Sequence, residues 1–340
     1  MRKKQNIDWN NLEFGVYPTR SMWKSTNSIN GEWDKGGLIP YGNIEISPAA
    51  GVLNYGQGIF EGMKAYHSSK DRLVLFRPDM NAQRISTSCK RLCMPEISKD
   101  YFINAILEVV RDNADFVPPY NKGGLYIRPV VWGTAPTLGV APASEYTFLI
   151  YTAPVGPYFR GGIKPLNLIA SESYHRAAPK GIGHVKAIGN YSASLEPVRK
   201  AKEDGFDEVL YLKAEDERLV EEVGSANIFM RKGNQLLTPR LAGSILPGVT
   251  RNSILKLAED QLGLDVKEGD LLLEDLFKAD EVFCTGTAVV LTPVGHITYR
   301  KKTHMIKDGN MGEAATELRQ KLIQIQLEEK EDSYGWIYPV

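Results

Sequence analysis

The chain has 340 residues, of which 43% are hydrophobic and 24% charged, ordinary usage for a folded protein and too long for one small core. Lys+Arg and Asp+Glu each total 41, so the net charge is zero, which removes any broad electrostatic pull toward nucleic acid or an anionic membrane. No uncharged apolar run is long enough to span a bilayer, and three cysteines, Cys89, Cys93 and Cys284, suit reduced thiols in a reducing compartment.

The first six residues are basic, but Asp8, Asn10, Asn11 and Glu13 follow them. This reads neither as a secretory signal nor as an import peptide, and a cytoplasmic protein is expected. Residues 41–56 read as short strands and turns, and 60–66 and Leu73–Phe76 as strands of a first sheet. A helix opens at Pro78 and runs to Leu92, stopped by Pro95. Arg84 lies inside it, either as a solvated helical arginine or as a phosphate clamp, since a guanidinium fork suits phosphate oxygens. Cys89 and Cys93 share a face of this helix, as packing or as a metal pair. No His or Cys partner stands nearby in sequence, so packing is expected and no metal site.

Ser98 is a good N-cap for a helix to about Asn113, with Tyr101, Phe102, Ala105, Ile106, Val109 and Val110 as its apolar stripe. Two apolar strands follow, 124–132 and 146–153. Tyr126 and Arg128 are two apart and share one face of the first, forming either a carboxylate-holding pair or an outward polar edge. Residues 154–165 are dense in Gly and Pro and mark a linker. A second domain begins with the strand Leu166–Ala170.

Residues 181–191 read Gly-Ile-Gly-His-Val-Lys-Ala-Ile-Gly-Asn-Tyr. Lys186 stands among glycines and small or apolar residues, with Tyr191 five residues on. An apolar setting lowers a lysine's pKa and frees its amine as a nucleophile toward an aldehyde; the alternative is a lysine snorkelling out of an apolar loop. A helix follows to about Asp204, ended by Gly205, with Pro197 kinking it or marking its first turn. Strands are expected at 208–212 and 218–223, around a charged turn at 214–217. Glu221 and Glu222 face opposite sides of the second, one solvated and one toward a site, and alternation does not say which.

Residues 245–251, Ile-Leu-Pro-Gly-Val-Thr-Arg, lead into a helix ended by Gly263. A Gly-containing turn at a helix N-terminus presents amides that suit a phosphate, or it is simply a helix start. Residues 282–290 read as strand, Thr-Gly-Thr turn and strand, where the turn either holds an anion or is an ordinary hairpin turn. The last helix spans about 311–328, and the tail 336–340 docks on the surface.

Together these features supply the parts of a pyridoxal phosphate enzyme. Lys186 offers an amine, Tyr191 a phenol for the ring hydroxyl, and Glu222 a carboxylate that keeps the pyridine nitrogen protonated, which makes the ring an electron sink. Arg84, Val249, Thr250 and Thr287 are the phosphate candidates.

Six stretches carry a resemblance that runs from about residue 14 to 336. They are Gly51-Val-Leu-Asn-Tyr-Gly-Gln-Gly-Ile-Phe-Glu-Gly-Met-Lys-Ala-Tyr66, Leu125-Tyr-Ile-Arg-Pro129, Pro154-Val-Gly-Pro-Tyr158, Val185-Lys-Ala-Ile-Gly-Asn-Tyr191, Leu246-Pro-Gly-Val-Thr-Arg251 and Thr285-Gly-Thr-Ala288. In these, and in their order, the chain resembles the branched-chain amino acid aminotransferases, members of the fold-type IV pyridoxal phosphate enzymes. The resemblance implies an α+β fold in two domains. These are a smaller N-terminal α/β domain (1–157), an interdomain loop (158–168) and a larger, mixed β-barrel-like cofactor domain with helices (169–340), with the cofactor at the domain interface.

It also implies roles. Lys186 would be the Schiff-base lysine and proton shuttle. Glu222, rather than Glu221, would partner the pyridine nitrogen. Tyr191 would bond the ring hydroxyl, and Arg84, Val249, Thr250 and Thr287 the phosphate, with Ser225 among the cofactor-binding residues. Tyr55, Phe60, Tyr126, Arg128, Tyr158, Thr287 and Ala288 would form the substrate pocket, Arg128 meeting the side-chain carboxylate of glutamate. Leu138 and Val140 would reach across from the partner subunit of a homodimer. The implied reaction is a ping-pong transfer of the amino group of leucine, isoleucine or valine to 2-oxoglutarate.

Residues 289–292, Val-Val-Leu-Thr, lack the Cys-x-x-Cys pair that some animal members carry there, so that thiol switch is not expected. The import peptide of plant members is expected to be missing. Rival readings are a D-amino acid aminotransferase, an aminodeoxychorismate lyase, or a cofactor-binding protein without turnover. The closeness of the whole chain and the complete catalytic set favour the branched-chain activity.

Overall fold

Two apolar runs of ten residues each, Gly124–Gly133 and Tyr146–Val155, pair antiparallel along their whole length. They anchor the first of two units in the computed structural model, which describes residues 7–27, 31–156 and 163–340. The first unit comprises Met1–Arg160 and Gln324–Val340, the second Gly161–Ile323. The C-terminal segment thus belongs with the N-terminal unit, a return that no local signal announces.

The first unit holds strands β1 (Ser21–Asn27), β2 (Gly37–Pro40), β3 (Gly58–Phe60), β4 (Met63–His67), β5 (Leu73–Phe76), β6 (Gly124–Gly133) and β7 (Tyr146–Val155). They form one antiparallel sheet in the order β5-β4-β6-β7-β1-β2, with β3 on β6. Helices α1 (Gly51–Tyr55), α2 (Pro78–Arg91) and α3 (Lys99–Asp112) belong to it, and Ser98 caps α3 by accepting from Tyr101 N. The main core joins Ile85, Cys89, Phe102 and Ile106 of the longer helices to Ile59, Ile127 and Phe148 of the sheet. Burying each such side chain contributes roughly 1.5–3 kcal/mol. Because β6 alternates, Leu125, Ile127 and Val131 face that core, while Tyr126, Arg128, Val130 and Trp132 take the other side.

Two expectations change here. The tail does not merely dock on a surface. Ile337–Pro339 pairs antiparallel with β5 as the edge strand, and Trp336 is buried with Arg77 stacked over it at 4.7 Å. Proline is tolerated at such an edge, and three residues are too few to show a period. Nor do Cys89 and Cys93 share a helix face. α2 ends at Arg91, Cys93 has φ of 54°, and it is exposed while Cys89 is buried.

The second unit is a mixed sheet of β8 (Leu166–Ala170), β9 (Glu208–Lys213), β10 (Asp216–Val223), β11 (Asn227–Lys232), β12 (Gln235–Pro239), β13 (Asp265–Gly269), β14 (Glu281–Gly286), β15 (Val290–Tyr299) and β16 (Lys302–Met305). The order is β10-β9-β8-β15-β14-β11-β12-β13, with β16 on β15. β8 runs parallel to β9 and β15, and β12 parallel to β13. β15 changes neighbour along its length, pairing with β14 up to Pro293 and with β8 from Val294.

The helix expected after Tyr191 is two pieces, α4 (Ile188–Ser192) and α5 (Leu195–Glu203), with Pro197 in the first turn of α5, where its missing N–H costs nothing. α6 (Val249–Leu262) packs on β13 and β14, α7 (Leu273–Leu276) on β10, and within α8 (Glu313–Gln326) the chain passes back to the first unit.

Candidate active site

In the second unit the segment 243–250 is the hub. Gly183, three residues before Lys186, lies against it so closely that a Cβ there would sit 2.2 Å from Ser244 O, and only glycine fits. His184 Nδ1 is 2.9 Å from Gly243 O. Asn190 donates to Ile182 O at 2.8 Å and Val185 O at 2.9 Å, closing the loop on itself. Val185 and Ala187 are buried, so the half-buried Lys186 between them is held on a fixed backbone. Its Nζ donates to the Tyr191 hydroxyl at 2.7 Å, and α4 places that phenol.

Glu222 reaches the same hub from β10. Its Oε1 accepts from Leu246 N at 2.5 Å and from Arg176 Nη2 at 3.3 Å, and the same Nη2 donates to Gly183 O at 3.0 Å. Arg176 therefore ties the lysine loop to the glutamate. Burial pushes the Glu222 carboxyl up to about 7, against the pull of the Arg176 guanidinium and the Leu246 amide. The expectation that one of Glu221 and Glu222 is solvated does not hold, since they are 1% and 2% exposed. β10 loses its register between Val220 and Val223, and simple alternation fails at such an irregularity. Burial raises Glu221 as well.

Asn227 donates to Leu246 O at 3.0 Å and pairs with Thr285 across β11 and β14. This brings three features to one end of the sheet. They are the turn carrying the exposed Ser225, the N-terminus of α6 at Val249 and Thr250, and the turn carrying Thr287 and Ala288. Gly248 caps α6 without a side-chain bond, so the first amides of a 14-residue helix are presented directly.

In the first unit, Phe60, Tyr126 and Arg128 come together. Arg128 Nη2 donates to Tyr126 OH at 3.1 Å, and its guanidinium lies 4.8 Å from the Phe60 ring centre. The phenol needs Gly62, where a Cβ would sit 2.2 Å from Tyr126 OH. Tyr55, on α1, donates its hydroxyl to Leu138 O. Leu138 and Val140 are 94% and 87% exposed, an unusual placement for large aliphatics. Tyr158 and residues 158–162 of the expected interdomain loop lie outside the described residues. Arg84 is not a solvated arginine: it is buried and doubly bonded to Glu61.

The family model of the class IV amino-transferases matches residues 58–297. The chain belongs to that family. A chloroplastic branched-chain-amino-acid aminotransferase of Arabidopsis thaliana is 47% identical over 97% of this chain and 79% of its own length. A methionine aminotransferase of the same plant is 40% identical over 98% of this chain and 94% of its own. Among solved structures, the branched-chain amino acid aminotransferase of Escherichia coli superposes with a TM-score of 0.80 at 30% identity, covering 94% of this chain and 98% of that one. The α+β, two-unit architecture is thus that of fold-type IV aminotransferases.

In this aminotransferase two further residues, Arg176 and Glu61, join the candidate set only through the structure. Arg176 sits in an irregular loop, Tyr-His-Arg-Ala-Ala-Pro, with no period to place it. Glu61 did leave a signal: it is a lone acid inside the apolar run Ile-Phe-Glu-Gly-Met.

Proposed function

We propose that the protein is a branched-chain-amino-acid transaminase, moving the amino group of L-leucine, L-isoleucine or L-valine reversibly to 2-oxoglutarate by a ping-pong route. The observation that carries this is the Lys186–Tyr191 contact on the same hub as the buried Glu222. The set fits pyridoxal 5'-phosphate. Both hydrogen bonds to Glu222 reach Oε1, so Oε2 remains to accept from a protonated ring nitrogen, and the first amides of α6 with the Thr287 turn suit a phosphate. When bound, that cofactor supplies an aldehyde for amines and an electron-withdrawing ring.

The protein's own part is then definite. Lys186 Nζ holds the cofactor and moves the proton at the substrate α-carbon. The Tyr191 hydroxyl orients that amine and meets the ring hydroxyl. Glu222 keeps the ring nitrogen protonated, with Arg176 holding the carboxylate in place. Arg84, Ser225, Val249, Thr250 and Thr287 hold the phosphate end. Tyr55, Phe60, Tyr126, Tyr158, Thr287 and Ala288 take the substrate, where burying an aliphatic side chain contributes roughly 1.5–3 kcal/mol. Arg128, stacked on Phe60, takes the side-chain carboxylate of glutamate.

The experiment that tests the substrate is a half-reaction screen. The cofactor-loaded protein is mixed with single amino acids and its visible absorbance followed. Leucine, isoleucine and valine are expected to bleach it fastest. Faster reaction with methionine, which the 40% identical relative makes a serious competitor, would overturn the substrate assignment and leave the chemistry standing, and so would a preference for D-alanine.

A homodimer is part of the proposal, with Leu138 and Val140 serving the neighbouring subunit's pocket. The Leu138→Asp variant is expected to sediment closer to the 37.9 kDa monomer mass and to lose most of its turnover. An unchanged dimer with full activity would remove these residues from the interface. No helix of the described residues is long and apolar enough to cross a membrane. A cytoplasmic placement is part of the proposal, and the three free thiols, which suit a reducing compartment, support it.

A further inference from the structure

Glu61 stands between β3 and β4, and no residue of the proposed chemistry accounts for it. It is completely buried, an expensive position for a carboxylate. Its Oε1 accepts from Arg84 Nε at 2.7 Å, and its Oε2 from Arg84 Nη2 at 2.8 Å, Asn81 Nδ2 at 2.7 Å and Gly62 N at 3.2 Å. Its own N–H is tied to Pro129 O on β6 at 2.8 Å. The carboxylate is therefore fixed from the sheet, from α2 and from its own backbone, and it grips one edge of the guanidinium, the Nε–Nη2 edge.

We propose that Glu61 is the positioning residue that aims Arg84 at the cofactor phosphate. The proposal rests on the reading that Arg84 holds the phosphate.

Two effects oppose each other. Pairing with Glu61 cancels the charge of Arg84, which weakens its attraction for a dianion. Against this, a free arginine carries a large rotamer entropy that binding would have to remove, and Glu61 has already removed it. In a buried site a fork already held in place, not charge alone, decides a phosphate contact, because the anion must find donors at fixed positions. Orientation therefore wins.

The test compares pyridoxal 5'-phosphate with pyridoxal, which lacks the phosphate, as ligands of the full-length protein freed of cofactor. Four proteins are needed: wild type, Glu61→Gln, Arg84→Lys and the double variant. Glutamine keeps the shape, but its NH2 group faces the guanidinium donors and releases the fork. Glu61→Gln is expected to weaken the phosphorylated ligand by roughly tenfold, about the entropy of one immobilised long side chain, and pyridoxal far less. Arg84→Lys should show the same selectivity, and the double variant no more than the larger single effect.

A selective Arg84→Lys beside a Glu61→Gln that weakens both ligands alike, or neither, overturns the role of Glu61. An Arg84→Lys without selectivity overturns the phosphate reading itself, and with it the inference. Tighter phosphate binding in Glu61→Gln would show that charge outweighs orientation. Because losing one partner of a buried pair is destabilising, melting temperatures are recorded alongside. If Glu61→Gln does not fold, Glu61→Asp, which keeps the charge but draws it back by one methylene, carries the comparison with the same outcomes.

Discussion

Lys186→Arg is expected to lower transamination of leucine by roughly 10^4-fold, the upper range for removing a positioned proton-transfer group, while circular dichroism and the melting curve stay close to wild type. Arginine keeps the positive charge and much of the length of lysine, so the loop need not rearrange. That loop is set by other groups: the Gly183 approach to Ser244, the Asn190 bonds to Ile182 and Val185, and the buried Val185 and Ala187. What arginine lacks is a usable lone pair. A guanidinium stays protonated at any workable pH and neither attacks an aldehyde nor takes a proton. The 2.7 Å contact with Tyr191 would survive as a hydrogen bond and lose its chemical purpose. A variant that still turned over at the wild-type rate would remove Lys186 from the mechanism.

The parts of this molecule that were legible beforehand are those whose information is local. Strands β6 and β7 announce themselves as continuous apolar runs between turn residues, and the observed strands are only slightly longer than those expected. Lys186 and Tyr191 are five residues apart, so a short loop and one helical turn suffice to join them. The helix start at Val249 follows from Pro-Gly.

What escaped was long-range. Arg176 meets Glu222 across 46 residues of chain, from a loop with no period. The burial of both Glu221 and Glu222 depends on a break in the pairing of β10 with β9, and such a break is invisible to a rule of strict alternation. The tail strand depends on an open edge at β5, which exists only once the sheet has formed.

Glu222→Gln is expected to separate two properties that the wild-type residue combines. In turnover, glutamine preserves the shape and some hydrogen bonding but carries no charge, so a protonated ring nitrogen loses its partner. A cost of about 10^2- to 10^3-fold in kcat is expected, as for other fixed electrostatic groups. Glu221→Gln, one residue away on the same strand, should retain turnover.

In stability the effect concerns the slope with pH. The unfolded carboxyl titrates near its ordinary 4.5 and the folded one at about 7, because burial opposes its charge more than Arg176 and the Leu246 amide support it. Between those values the folded chain keeps a proton that the unfolded chain has released, so this group favours the folded state at acid pH and the favour disappears as pH rises through about 7. The loss between pH 4.5 and 8 is on the order of 3 kcal/mol for this residue in the cofactor-free protein. Melting temperatures of the cofactor-free wild type should therefore fall across that window, and in Glu222→Gln the fall should flatten, with the Glu221 and Glu208 carboxyls, both raised by burial, contributing to what remains.

Adding the cofactor should act in the opposite sense. A pyridinium beside Glu222 favours the carboxylate, so the wild type should gain most from cofactor above pH 7, and the glutamine variant should lose that pH-dependent gain. Equal melting curves for wild type and Glu222→Gln at every pH, with and without cofactor, would mean that Glu222 neither titrates in this window nor faces the ring.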